Sequence, residues 1–285
     1  MIKNLKYFCE AVLIYLFFLL AKIFGLTLSR KIFSFIFRKV GPIIKSDQTV
    51  ENNLNKFPSR LSNLKKNQIK KDMWSNYGMT FIEYIFLNKF KTRNNHIKIF
   101  GEKILDDIFK KNKPVIFVSG HFANFELMSM EITKKKIDLA TIYRPLNNFF
   151  LNPFMEYLRK KYVCKKQIKK GRIGVKDAIK YIKENHSIAL MIDQRVSEGE
   201  RINFFNEKAS TTTLPAQLAL KFNLDIVPIF IDRKNENFFE MEVFKPVNLG
   251  KIKNKIEITK KLNLILEKMI IKRPNYWIWT HDRWK

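Results

Sequence analysis

Four short apolar runs, separated by stretches of helical character, decide what the bulk of this chain can fold into. They are Pro114–Ser119, Asp138–Tyr143, Ser187–Asp193 and Asp225–Asp232. The segments near 124–135, 149–162, 172–185 and 211–223 lie between them and read as helices. Strands buried on both faces appear as continuous apolar runs, and strands alternating with helices build a largely parallel sheet with both faces covered. A further strand is expected over Phe238–Val247 and a C-terminal helix over 255–272. Upstream, residues 61–90 carry Met73, Trp74, Tyr77, Phe81 and Ile82 among lysines, the pattern of an amphipathic helix or helix pair. The polar stretch 46–60 reads as a connector or short helix. The expected fold class is α/β, a mostly parallel sheet covered by helices.

The N-terminus adds a different element. Residues 11–21 are wholly apolar, and Ile23 to Leu28 extend the segment past Lys22. That length approaches what a bilayer-spanning helix needs, with one lysine against it. No small-residue cleavage site follows cleanly, which argues against a secretory leader. The stretch from Arg30 to Lys39 is basic and rich in phenylalanine, as suits a helix lying among headgroups. More positive charge follows the apolar segment than precedes it, so the C-terminal bulk is expected on the cytoplasmic side of the membrane. We therefore expect an N-terminal membrane-anchoring helix and interfacial segment over 1–40, and a second domain over 41–285.

Charge narrows the partners. Lys and Arg number 54 against 26 Asp and Glu, a formal net charge of +28 that must attract polyanions. Anionic lipid headgroups and an acidic carrier protein both fit. No helix-turn-helix, zinc-finger or RNP-like motif is present, so nucleic acid is not expected as a partner. Cys9 and Cys164 are too few and too far apart for a disulfide framework or a zinc site, and no metal is expected.

The polar residues at the strand ends carry the chemistry. His121 and Glu126 lie in Gly-His-Phe-Ala-Asn-Phe-Glu (120–126), directly after the first apolar run, where Gly120 is expected to let the backbone turn sharply. A histidine with a carboxylate five residues on can be a general base with its orienting partner. Arg144 follows the second run, and Asp193 and Arg195 end the third. Ligands of open α/β sheets bind at the carboxyl ends of the strands, so these residues share an edge. Such a set suits transfer of an acyl group onto a hydroxyl. His121 would deprotonate the hydroxyl, Glu126 would hold the imidazole in its tautomer, and arginines would bind phosphate or steady the oxyanion. Cys164 has no histidine near it in sequence and no Gly-x-Ser-x-Gly elbow exists, which argues against a protein nucleophile. Structural readings compete with these. Glu126 suits a helix N-terminus, Asp193 a turn and Arg159 a solvated basic run with Lys160 and Lys161. Thr211–Thr213 reads more simply as a helix start, and Tyr276, Trp277 and Trp279 as core or interfacial aromatics.

Taken together, the motifs resemble the bacterial lipid A biosynthesis late acyltransferases, within the lysophospholipid acyltransferase superfamily. His121-x4-Glu126 matches the signature block, and Tyr143-Arg144-Pro145-x-x-Asn148 the Tyr-Arg-Pro block. Arg159 falls where the following helix carries a functional arginine, Gly171-Arg172 resembles the next basic site, and Asp193-Gln194 the Asp at the third strand's end. Phe204-Phe205 with Ser210–Thr213, Val227-Pro228 and Pro274-Asn-Tyr-Trp-x-Trp279-x-His281-x-Arg283 match the closing blocks. Asn203, Phe149 and Leu151-Asn152 depart from the pattern, and none touches the His–Glu pair. The resemblance implies an acyltransferase domain over 41–285 that needs no cofactor. It would move a fatty acyl chain from an acyl-carrier-protein thioester to a hydroxyacyl group of an anionic glycolipid, the lipid A precursor. Arg144, Arg159, Arg172 and Asp193 are the expected substrate-binding residues. Another membrane lipid, such as a lysophospholipid, is the alternative acceptor.

Overall fold

The computed structural model describes residues 2–45, 47–250 and 252–285. The chain opens with α1 (Ile2–Ile44), α2 (Asp47–Leu54), α3 (Asn63–Glu83) and a short α4 (Leu87–Thr92). Then follow β1 (Ile97–Phe100), α5 (Glu102–Lys111), β2 (Ile116–Ser119), α6 (Glu126–Lys134), β3 (Leu139–Tyr143) and α7 (Asn152–Leu158). Next come β4 (Lys166–Lys169), α8 (Arg172–Lys183), β5 (Ser187–Met191) and a hairpin of β6 (Glu200–Phe204) with β7 (Glu207–Thr211). The chain closes with α9 (Leu214–Phe222), β8 (Ile226–Arg233), β9 (Phe239–Val243) and α10 (Lys255–Lys272).

Seven strands form one sheet in the order β1-β9-β8-β2-β5-β3-β4. The strands β8, β2, β5, β3 and β4 run parallel, while β9 is antiparallel to β8 and carries β1 parallel beside it. The sheet is thus mostly parallel and helix-covered, as the alternating pattern demands. Central strands are buried along their whole length: all four residues of β2 and all eight of β8 are covered. That is why they read as unbroken apolar runs rather than alternating ones. Differences fall at the edges. The segment expected as a helix over 149–162 is α7 plus one π-helical turn over Arg159–Val163. The helix expected from 211 begins at Leu214, because Thr211 belongs to β7.

α1 is broken at Gly25, whose φ of 75° lies in the left-handed region that glycine enters without penalty. Among the described residues it is the one helix long and apolar enough to cross a membrane. Its first half leaves Leu5, Phe8, Leu13, Leu16, Leu19 and Ile23 exposed, an apolar face that water penalises and lipid would cover. The loop after β3 grips this half: Asn148 Nδ2 donates to the Tyr7 carbonyl at 2.8 Å and Tyr15 Oη to the Phe150 carbonyl at 2.9 Å. The second half packs on α3, with the Phe33 and Phe37 rings 5.9 and 5.5 Å from Phe81. Arg30 therefore does not lie among headgroups, as its basic surroundings suggested; it is 2% exposed and enters the protein core.

Candidate active site

Sheet register builds the centre of the site. β2 and β5 are neighbours, with Ser119 opposite Met191, and the Ile192 N–H donates to the Ser119 carbonyl at 2.9 Å. Two residues beyond that pair stand His121 and Asp193. His121 Nδ1 lies 2.8 Å from Asp193 Oδ1, and the His121 backbone N–H donates to Oδ2 at 2.9 Å. Trp277 Nε1 donates to the same Oδ2 at 2.9 Å. Burial alone would raise the Asp193 carboxyl, but the charge of His121 and these three donors outweigh it and bring it down to about 2. A carboxylate on Nδ1 fixes the proton there and leaves Nε2 as the basic nitrogen. The Phe125 ring meets the imidazole edge-on, centroids 4.7 Å apart.

Glu126, expected to orient the imidazole, has other partners. The loop between β2 and α6 reverses at Ala123, whose φ of 43° costs roughly 1–3 kcal/mol for a residue with a side chain. The expected turn at Gly120 is different in kind: glycine is needed there for space, since an added Cβ would sit 2.8 Å from the Phe122 ring. Ala123 is held from both sides. Its N–H donates to the Tyr276 carbonyl at 3.1 Å, and its carbonyl accepts from Thr80 Oγ1 at 3.0 Å and Asn76 Nδ2 at 3.4 Å. Beyond this reversal Glu126 opens α6 and meets Arg159, whose Nε and Nη2 each lie 2.8 Å from Oε1. The Tyr84 hydroxyl donates to the same oxygen. The Arg159 guanidinium also sits over the Tyr84 and Tyr143 rings, at 5.4 and 5.5 Å. Burial disfavours its charge, but Glu126 and Tyr84 outweigh burial and hold it protonated. Arg159 is thus an ordered, largely buried side chain, unlike the solvated lysines that follow it.

Arg144 and Arg172 stay apart from both clusters. Arg144 is exposed just past β3, where partial desolvation and then the Arg144 charge lower the neighbouring Lys170 ammonium. Arg172 begins α8 with its side chain 90% exposed and 3.5 Å from Glu198. α8 has no acidic residue in its first turn and no side-chain cap on its N-terminus, so its free N–H groups add to the positive charge at this edge.

Sequence reasoning missed Tyr84 and the partner role of Trp277, which it read as packing. Its closing block proves to be a clamp on the site. Besides Trp277 on Asp193, His281 Nε2 accepts the Arg195 N–H at 2.9 Å. Arg283 donates to the Ser210 carbonyl at 2.6 Å and to Thr211 Oγ1 at 2.8 Å. Among the described residues, no three His, Cys, Asp or Glu side chains group as metal ligands. Two clefts stand out, and the larger one lies at the amino ends of β3, β4 and β5, the sheet edge opposite to His121 and Asp193. One of about 360 Å³ opens between α1 and α7, lined by Phe18, Leu19, Ile85, Phe154 and Leu158 among others. The larger, about 520 Å³, lies among Lys160, Lys161, Lys165 and Lys166 and holds none of the expected site residues.

A family model described as bacterial lipid A biosynthesis acyltransferase matches residues 2–285. Comparison with curated proteins gives no match. Among solved structures, the 1-acyl-sn-glycerophosphate (LPA) acyltransferase PlsC from Thermotoga maritima aligns at 12% identity. The alignment covers 89% of this chain and 100% of that one, with a TM-score of 0.42.

Proposed function

Since the chain belongs to the bacterial lipid A biosynthesis acyltransferase family, we propose that it passes a fatty acyl chain from acyl-carrier protein to a hydroxyacyl group of a lipid A precursor. Membership makes it an acyltransferase with a lipid substrate; donor, acceptor and residue roles are our reading. The observation that carries it is the 2.8 Å contact between His121 Nδ1 and Asp193 at the strand ends. Nε2 removes the acceptor's hydroxyl proton as its oxygen attacks the thioester carbonyl. The tetrahedral intermediate collapses, the carbon–sulfur bond breaks, and the imidazolium returns its proton to the departing thiolate. Asp193 keeps the ring in the needed tautomer and stabilises the imidazolium. Glu126 positions Arg159, and Arg144, Arg159 and Arg172 bind phosphate or carrier groups. The reaction needs no cofactor beyond the thioester.

The apolar first half of α1 anchors the enzyme to the inner membrane with the catalytic edge on the cytoplasmic face, and the +28 charge draws in acidic carrier and anionic lipid alike. The cleft beside Leu158 and Ile85, next in sequence to Arg159 and Tyr84, takes the acyl chain. Phe154→Ala should then shift the preferred chain to greater length; an unchanged preference would remove the cleft from this account. The direct test is transfer from a panel of acyl-carrier-protein thioesters to purified lipid A precursor, wild type against His121→Ala. One added chain by mass, lost in the variant, supports the reading. Acylation of a lysophospholipid instead would keep the chemistry and change the acceptor. No product with any acceptor would overturn it.

A further inference from the structure

Glu83 ends α3 with no exposed surface and receives four charge-assisted or amide hydrogen bonds. Oε1 accepts from Arg30 Nε at 2.6 Å and Arg233 Nη1 at 2.7 Å; Oε2 accepts from Arg233 Nη2 at 2.9 Å and Asn124 Nδ2 at 2.8 Å. Each donor belongs to a different part of the molecule. Arg30 lies on α1 past the Gly25 break, Arg233 ends β8, and Asn124 lies three residues beyond His121. Arg233 also donates to Asn76 Oδ1 at 2.8 Å and Thr80 Oγ1 at 3.3 Å, the two side chains that hold the Ala123 carbonyl. Arg30 donates further to Asn237 Oδ1 at 2.8 Å, and its guanidinium lies 5.5 Å from the Phe90 ring centroid.

Two arginines on one carboxylate make a costly arrangement. Buried ion clusters are weak sources of stability compared with apolar packing, so their position matters more than their number. This one sits where the N-terminal helix, the sheet and the catalytic loop meet. We propose that Glu83 is a positioning residue for acyl transfer, and that the Arg30–Glu83–Arg233 cluster is the joint through which the seating of α1 fixes the backbone of the His121 loop. Asn124, Thr80 and Asn76 are its contacts with that loop. The strained turn at Ala123 stays closed because both its faces are tied, one to Tyr276 and one to this cluster. A helix that reaches the membrane is in this way coupled to the orientation of His121. The proposal rests on the acyl-transfer reading for its kinetic test but not for its exchange test.

The experiment compares full-length wild type with Asn124→Ala, Thr80→Val, Thr80→Ser and Arg30→Lys in detergent micelles. Asn124→Ala and Thr80→Val cut the loop ties while leaving the Arg–Glu pairs in place. Both should lower kcat at least tenfold with KM within about twofold, while Thr80→Ser, which keeps the hydroxyl, returns kcat towards wild type. Arg30→Lys, on α1, should show the same kcat loss. Independently of any substrate, hydrogen exchange over residues 120–126 should speed up in Asn124→Ala and Arg30→Lys. Unchanged kcat and unchanged exchange in folded Asn124→Ala would overturn the proposal, as would a loss seen only as a lower folded fraction. Should the wild type itself transfer nothing, the acyl-transfer reading fails, and the exchange result alone decides the coupling. A folded Arg30→Lys with wild-type kcat and exchange would overturn the coupling to α1; if it does not fold, Asn237→Ala, which removes the other side-chain partner of Arg30, takes its place with the same changes expected.

Discussion

Two buried carboxylates flank one loop, and they keep different company. Asp193 faces an imidazole and two N–H donors, with its carboxyl held down at about 2. Glu126 faces a guanidinium and a phenol. The first environment holds an imidazole in one tautomer; the second neutralises and fixes a cation. Distance along the chain points the other way, since Glu126 is five residues from His121 and Asp193 is 72. Proximity in a parallel sheet is set by strand order and register, and β2 beside β5 brings residues 121 and 193 to the same height.

That contrast can be broken by substitution. The largest effect is expected at Asp193: Asp193→Asn should cut kcat by about 10³–10⁴, because an amide no longer enforces the Nδ1–H tautomer. Turnover measured at substrate saturation decides this, and a loss under tenfold would end the comparison. Glu126→Ala should lower kcat about ten- to hundredfold through a misplaced Arg159. It should also destabilise the fold by about 3–5 kcal/mol, since it strands a buried guanidinium. Near-wild-type turnover and melting would show that the Glu126 cluster has neither role.

Acid sharpens the comparison further. The Asp193 carboxyl lies below its ordinary 3.8, so the unfolded chain takes up its proton first as pH falls. The contribution, about 2 kcal/mol, is complete above pH about 4 and is lost as pH drops through about 2. Asn in its place should remove that part of the acid dependence, which chemical denaturation at several pH values reads directly. An identical acid profile in Asp193→Asn would contradict it. The smallest effect belongs to Arg172→Ala. Its exposed guanidinium should leave melting unchanged and raise KM for the anionic acceptor about fivefold at low salt. An effect on melting rather than KM would make it structural.

Much of this was legible in the residues. The four apolar runs mark strands β2, β3, β5 and β8, and α10 occupies the segment expected for it, because long buried elements carry strong patterns. β4, Lys-Gln-Ile-Lys, shows one apolar residue at the sheet's edge, and β1 is four residues long; neither pattern stands out. The hairpin of β6 and β7 turns through Phe205 and Asn206, both at positive φ, where a phenylalanine is no turn signal. At the site, strand ends revealed His121 and Asp193 separately, but their pairing needs the order of strands. The Glu83 cluster was hidden for a related reason: its members at 30, 83, 124 and 233 meet only after the sheet and the N-terminal helix have packed.

The most direct test of the central claim is the protonation pattern of the His121 ring, by ¹⁵N-histidine NMR of the full chain in micelles. The account predicts an Nδ1–H tautomer with a downfield proton, lost in Asp193→Asn and kept in Glu126→Gln. Loss in Glu126→Gln with retention in Asp193→Asn would restore Glu126 as the orienting carboxylate and contradict the assignment made from the sheet register.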